Sequence, residues 1–218
     1  MSGLAHLRRA YAWGLLAFLC FAVIAIIVRN TSIKGFDLSV MAWVQSFESD
    51  KLTLIMEGFS WIGATVPVTL LTIALAMFLF FVFKHRYELL LLLVVVGGSN
   101  VLNVKLKHVF RRERPDLHRI VEEAGYGFPS GHSVAVIALY GVLIYLLWRH
   151  VNSRKGKAAL IFIGLLMVIG IGLSRIYLGV HFPSDVIGGY LVSGAWLAMC
   201  IEIFRMFSKP NNAGGQKE

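Results

Sequence analysis

Apolar residues along this chain fall into long, nearly unbroken blocks separated by short polar segments. A helix needs about 20 consecutive apolar residues to cross the hydrocarbon layer of a bilayer. Six blocks approach that length, at 11–28, 64–83, 87–106, 131–148, 158–175 and 184–206. The pattern predicts an all-α integral membrane protein with six transmembrane helices. Between the first two blocks, Phe36, Val40, Trp43, Val44 and Phe47 recur at helical spacing among Asp37, Ser39, Gln45 and Glu48. That spacing predicts a short amphipathic helix lying in the membrane interface. The first block follows Arg8 and Arg9 as a signal peptide would, but it is long for a cleavable segment and no small-x-small site follows. It reads as a retained span.

Composition agrees. Of 218 residues, 57% are hydrophobic and only 15% charged, and mean hydropathy is +0.72. A soluble domain of this length carries more charge. The formal charge of +9 would suit a nucleic-acid binder, but the basic residues cluster at the ends of apolar blocks, where anionic headgroups lie. Membrane lipids are the expected partners, with no nucleic acid; protein partners are not legible. Cys20 and Cys200 both sit inside apolar blocks and form neither a disulfide framework nor a zinc pattern.

Residues 1–208 read as one domain and 209–218 as a disordered polar tail. Short basic loops at Lys84-His85-Arg86 and from Arg149 to Lys157 predict a multi-pass protein of the cell membrane with both termini cytoplasmic. The loop after the third block, with Lys107, Arg111, Arg112, Arg114 and Arg119, then falls on the extracytoplasmic side and needs another explanation for its charge.

Three segments supply one: Lys107 to Pro115, Pro129-Ser130-Gly131-His132, and Ser174 to Asp185. Six spans place all three at one face. Lys107, Arg114 and Arg175 would bring three cations to a dianionic phosphate. Ser130 and Gly131 open a helix, so their backbone N–H groups would point at an anion held there. His132 and His181 supply one nucleophile and one general acid. Pro183 suits the first turn of a helix, which puts Asp185 where its carboxylate can take a hydrogen bond from His181 and leave the other ring nitrogen free to attack phosphorus. Arg111, Arg112, His118 and Arg119 read as headgroup or entrance residues, and Asn100 and Asn103 as close-packing residues late in the third span.

The three segments match K-x6-R-P, P-S-G-H and S-R-x5-H-x3-D in order and without departure, over residues 107–185. In this the chain resembles the type 2 phosphatidic acid phosphatase superfamily, membrane lipid phosphate phosphatases that share a site with vanadium haloperoxidases. The resemblance implies hydrolysis of a lipid phosphomonoester or diphosphate, such as phosphatidylglycerophosphate, phosphatidic acid or a polyprenyl diphosphate, at the extracytoplasmic face. It implies a phosphohistidine on His181, oriented by Asp185, with His132 protonating the leaving group. Lys107, Arg114, Ser130, Gly131 and Arg175 would hold the phosphoryl oxygens, with no metal and no cofactor. Phosphoryl transfer to another acceptor at the same site is the alternative within enzymes. A non-catalytic headgroup binder or transporter is the alternative outside them, and it leaves the paired histidines without a purpose.

Overall fold

The computed structural model describes residues 2–83 and 86–207, and every regular element among them is helical. In chain order these are α1 (Ser2–Arg29), α2 (Lys34–Gln45), α3 (Asp50–Ile62), α4 (Thr65–Phe78), α5 (Arg86–Phe110), α6 (Gly131–Trp148), α7 (Arg154–Tyr177) and α8 (Pro183–Phe207). A π-helical turn, Leu79–Phe83, extends α4. The expected tail at 209–218 lies outside the described residues.

Among the described residues, five helices are long and apolar enough to cross a membrane: α1 from Ala12, α5, α6, α7 and α8. A sixth crossing exists if α3 and the α4 segment, bent by 50° at a short break, are counted as one. No span is predicted over 50–62, yet α3 forms there. In the structure α3 packs on α7, and Tyr177 anchors it by a 2.8 Å hydrogen bond with Thr53. At the break between α3 and α4, a Cβ on Gly63 would collide with Ile171 of α7, so only glycine permits this approach.

Helices α5, α6, α7 and α8 pack side by side, with α1 laid along α8. Buried Leu92, Val95, Ala138, Val142 and Leu146 form the α5–α6 seam. Gly189 lets α8 meet the start of α6: a Cβ there would stand 2.8 Å from Ser133 Cβ and 2.9 Å from the Ser130 carbonyl. Outward positions such as Trp13, Phe18, Leu70, Leu90 and Phe162 are large, apolar and exposed, as lipid-facing residues are.

The segment predicted as an amphipathic helix is helical as α2. Phe36, Trp43 and Phe47 are more than half exposed, while Asp37 is fully buried. Met41 and Val44 pack inward against the α7–α8 connection. The burial of Asp37 has an electrostatic cause: it finds a cation and a helix start inside the protein, and a paired carboxylate tolerates burial.

Candidate active site

Chain parity brings the C-terminal ends of α5 and α7 to the N-terminal ends of α6 and α8. At this end the connection from Arg111 to Ser130 has no regular structure and folds over the helix ends. The Phe128–Pro129 peptide within it is cis. All three motif segments lie here.

His181 is fully buried between α7 and α8. Its Nδ1 lies 3.4 Å from Asp185 Oδ2, long for a full hydrogen bond, and that oxygen also accepts the Phe182 N–H at 2.9 Å. α8 begins at Pro183, so Asp185 sits in its first turn, as the sequence predicts. On the other side of the ring, Arg114 Nη1 stands 3.0 Å from His181 Nε2. A guanidinium only donates, so Nε2 must be the bare, accepting nitrogen and Nδ1 carries the proton toward Asp185. The His181 pKa is held well below the ordinary imidazole value, first by burial and then by Arg114, Arg175, Lys107 and His132. The ring is therefore neutral and has its lone pair directed at the arginine.

The three cations converge with it. Arg114 is buried and donates through Nε to the Gly125 carbonyl at 3.0 Å and through Nη1 to the Val180 carbonyl at 3.0 Å. Lys107 Nζ donates to the Tyr126 carbonyl at 2.5 Å. Arg175, also buried, donates to the Ser60 hydroxyl. His132, in the first turn of α6, packs on Gly63, where a Cβ would lie 3.2 Å from its Cδ2.

Ser130 behaves differently from the expectation. Its backbone N–H donates to the Asp185 carbonyl at 3.0 Å, so it does not face an anion. Its side chain is the N-cap of α6, accepting from the Ser133 N–H at 3.5 Å. Gly131 lines the cavity, with Asn103 Nδ2 3.2 Å from where its Cβ would be. Asn103 is buried and its Oδ1 has no hydrogen-bond partner.

A cavity of about 570 Å³ opens between α4, α5 and α6. Lys107, Arg114, Gly131 and His132 stand at its polar end, and it runs down past Thr69 and Ile73 of α4 and Val96 and Leu93 of α5. Charge at one end and apolar wall at the other match a lipid bearing an anionic headgroup.

Two groups escaped the sequence reading. Arg112, assigned there to headgroup contact, points inward: Nη1 donates to Asp185 Oδ1 at 2.5 Å and to Ser184 Oγ at 2.7 Å. Its Nη2 pairs with Asp37 Oδ2 at 2.7 Å, and its guanidinium lies 4.5 Å over the Phe182 ring. Asp37 Oδ1 accepts the Ser184 N–H at 3.0 Å. For Asp37, a lone carboxylate on α2 was the available signal. Glu123 is the other: Oε1 accepts from Arg114 Nη2 at 2.9 Å and Oε2 pairs with Arg175. Nothing in the loop sequence distinguishes it from Glu122. His118 and Arg119 are also tied internally, His118 Nε2 to Glu48 at 2.8 Å and Arg119 Nε to the Pro115 carbonyl at 2.5 Å.

Among the described residues, no cluster of three or more His, Cys, Asp or Glu side chains is arranged to hold a metal.

A family model of the PAP2 superfamily matches residues 88–209, which contain every motif segment, and the chain belongs to that superfamily. It is similar to phosphatidylglycerophosphatase B of Bacillus subtilis, 33% identical over 175 residues, which cover 79% of this chain and 85% of the relative. It is also similar to an undecaprenyl-diphosphatase of Sulfolobus acidocaldarius, 27% identical over 203 residues, covering 88% and 90%. The crystal structure of a transmembrane PAP2-type phosphatidylglycerolphosphate phosphatase from Bacillus subtilis superposes with a TM-score of 0.83 at 30% identity, over 91% of this chain and 98% of that one.

Proposed function

We propose that this chain is a six-span membrane phosphatase that hydrolyses a lipid phosphomonoester or diphosphate through a phosphohistidine on His181. The observation that carries this reading is the Arg114–His181 contact at 3.0 Å, which leaves Nε2 unprotonated beside the cation that would hold the phosphoryl group. In the reaction, the Nε2 lone pair attacks phosphorus and the bond to the lipid oxygen breaks. His132 gives its proton to the departing alkoxide. Asp185 stabilises the charge that develops on the His181 ring, while Lys107, Arg114 and Arg175 neutralise the equatorial oxygens of the transition state. Gly131 completes the cradle at the start of α6, while Ser130 caps that helix. In the second half, His132 takes a proton from water, the water oxygen attacks phosphorus, the N–P bond breaks, and inorganic phosphate leaves.

The basic Arg149–Lys157 connection supports an orientation with both termini cytoplasmic and the site on the extracytoplasmic side. In this reading α3 and α4 form the sixth, broken span, and residues 1–208 act as one domain. The Bacillus relatives, both phosphatidylglycerophosphate phosphatases by name, favour phosphatidylglycerophosphate over phosphatidic acid and polyprenyl diphosphates. The test is purified protein assayed against these three lipids for released inorganic phosphate, with His181→Ala as the control. Release from phosphatidylglycerophosphate is expected. Equal release by His181→Ala removes the nucleophile, and no release from any of the three removes the activity.

A further inference from the structure

Two of the three cations of the site, Arg114 and Arg175, already face one anion. Glu123 places one carboxylate oxygen 2.9 Å from Arg114 Nη2 and the other on Arg175, so a single carboxylate bridges the two guanidinium groups that the proposed function assigns to phosphoryl oxygens. Two oxygens on one planar carbon can occupy the same pair of donors as two oxygens of a phosphate. The position is also a doorway. Glu123 lines the cavity together with Lys107, Arg114 and His132, whereas neither Arg175 nor His181 is among the described residues that line it. Arg175 is 3% exposed and His181 0%.

Glu123 lies in the irregular connection between α5 and α6, and its side chain is 30% exposed. The carbonyls of Ala124, Gly125 and Tyr126 beside it are held by Arg114 and Lys107, so exchange for a phosphate requires only the Glu123 side chain to swing away. A bound dianionic phosphate and the Glu123 carboxylate cannot share Arg114 and Arg175 without strong like-charge repulsion. One must leave when the other arrives.

We propose that Glu123 is an internal competitor for the phosphoryl subsite: its carboxylate occupies the arginine pair in the resting enzyme, yields to the substrate phosphoryl group, and returns as inorganic phosphate departs. Resting on the function proposed above, this makes Glu123 a determinant of substrate and product affinity. A site that is open only a fraction of the time shows an apparent dissociation constant raised by the inverse of that fraction. A carboxylate that holds the arginines nine-tenths of the time therefore weakens anion binding by roughly tenfold.

The experiment measures the inhibition constant of inorganic phosphate, and KM and kcat for the lipid substrate, in wild type, Glu123→Gln and Glu123→Ala. Both variants are expected to bind inorganic phosphate roughly tenfold or more tightly than wild type and to show a lower KM. Glu123→Asp, shorter by one methylene but still charged, is expected to lie between them and wild type. An unchanged or weaker phosphate inhibition in both variants, with kcat lost, overturns the proposal and makes Glu123 a strut that merely holds the arginines in place. Glu123→Gln is close in size to the native side chain and covers the case in which Glu123→Ala fails to fold. Wild-type protein that hydrolyses no lipid phosphate strikes the proposed function instead, so the two failures are distinct.

Discussion

Arg112 Nη1 lies 2.5 Å from Asp185 Oδ1, and Asp185 Oδ2 faces His181. The carboxylate that faces the histidine is thus itself held by a cation from a different loop. That cation is shared with Asp37 of α2, so a chain of charges runs from α2 through the α5–α6 loop to the histidine. Asp37 and Asp185 are both fully buried, and Arg112 is the ion-pair partner of each.

Replacing Arg112 with alanine should therefore damage both stability and catalysis. Removing one member of a buried ionic network leaves its partners uncompensated, at about 3–5 kcal/mol. Thermal unfolding in detergent should show the loss, and kcat should fall with little change in KM, because Arg112 acts through Asp185. Arg112→Lys keeps the charge but cannot reach both carboxylates in the same fork, and should recover only part of either. A variant with wild-type kcat would break the link between Arg112 and the histidine.

Asp185→Asn and His181→Ala should separate orientation from attack. In the proposed mechanism His181 accepts the phosphoryl group, so phosphate release by His181→Ala should drop to background. Asp185→Asn leaves the nucleophile present but poorly oriented, and should lose on the order of a hundredfold to ten-thousandfold in kcat. Quenched-flow trapping of radiolabelled enzyme with an acid-labile, alkali-stable linkage should find label in wild type and none in His181→Ala.

The pH profile should carry the signature of the buried ring. His181 must be neutral to attack, and its pKa is pushed well below the usual histidine value by burial and neighbouring charge. The acid limb of kcat/KM, which reports the free enzyme, should therefore not lie near the ordinary value of about 6.5 on account of this residue. Stability follows the same sign. Below about pH 6.5 an unfolded chain protonates this histidine while the folded protein does not, so its contribution to stability falls as pH drops. Loss of His181→Gln stability parallel to wild type across pH 7 to 5 would contradict that assignment.

Activity should persist in excess EDTA and be inhibited by vanadate, whose five-coordinate form resembles the transition state. Abolition by chelator with rescue by a divalent cation would replace the histidine mechanism with metal chemistry.

Much of the site was legible in one dimension. The ordered segments around Lys107 and Arg114, Ser130 to His132, and Arg175 to Asp185 identify themselves by residue type and spacing, and helical parity alone places them at one end of the bundle. Pro183 correctly marked the start of α8. The 50–62 helix was missed because its polar residues hide its apolar side from any hydropathy reading.

What the sequence by itself determined was the solvent and the chemistry: long apolar blocks require helices in lipid, and the motif residues have no purpose away from an anion. The tertiary structure alone decided which of the loop charges turn inward. Arg112 and Glu123 carry no local signal, and Asp37 only that of a lone carboxylate on α2, because a charge is stable inside only where distant segments bring it a partner. That pairing belongs to the packing of α2 and the α5–α6 loop on α8, across separations of more than 70 residues in the chain for Arg112 and its two carboxylates.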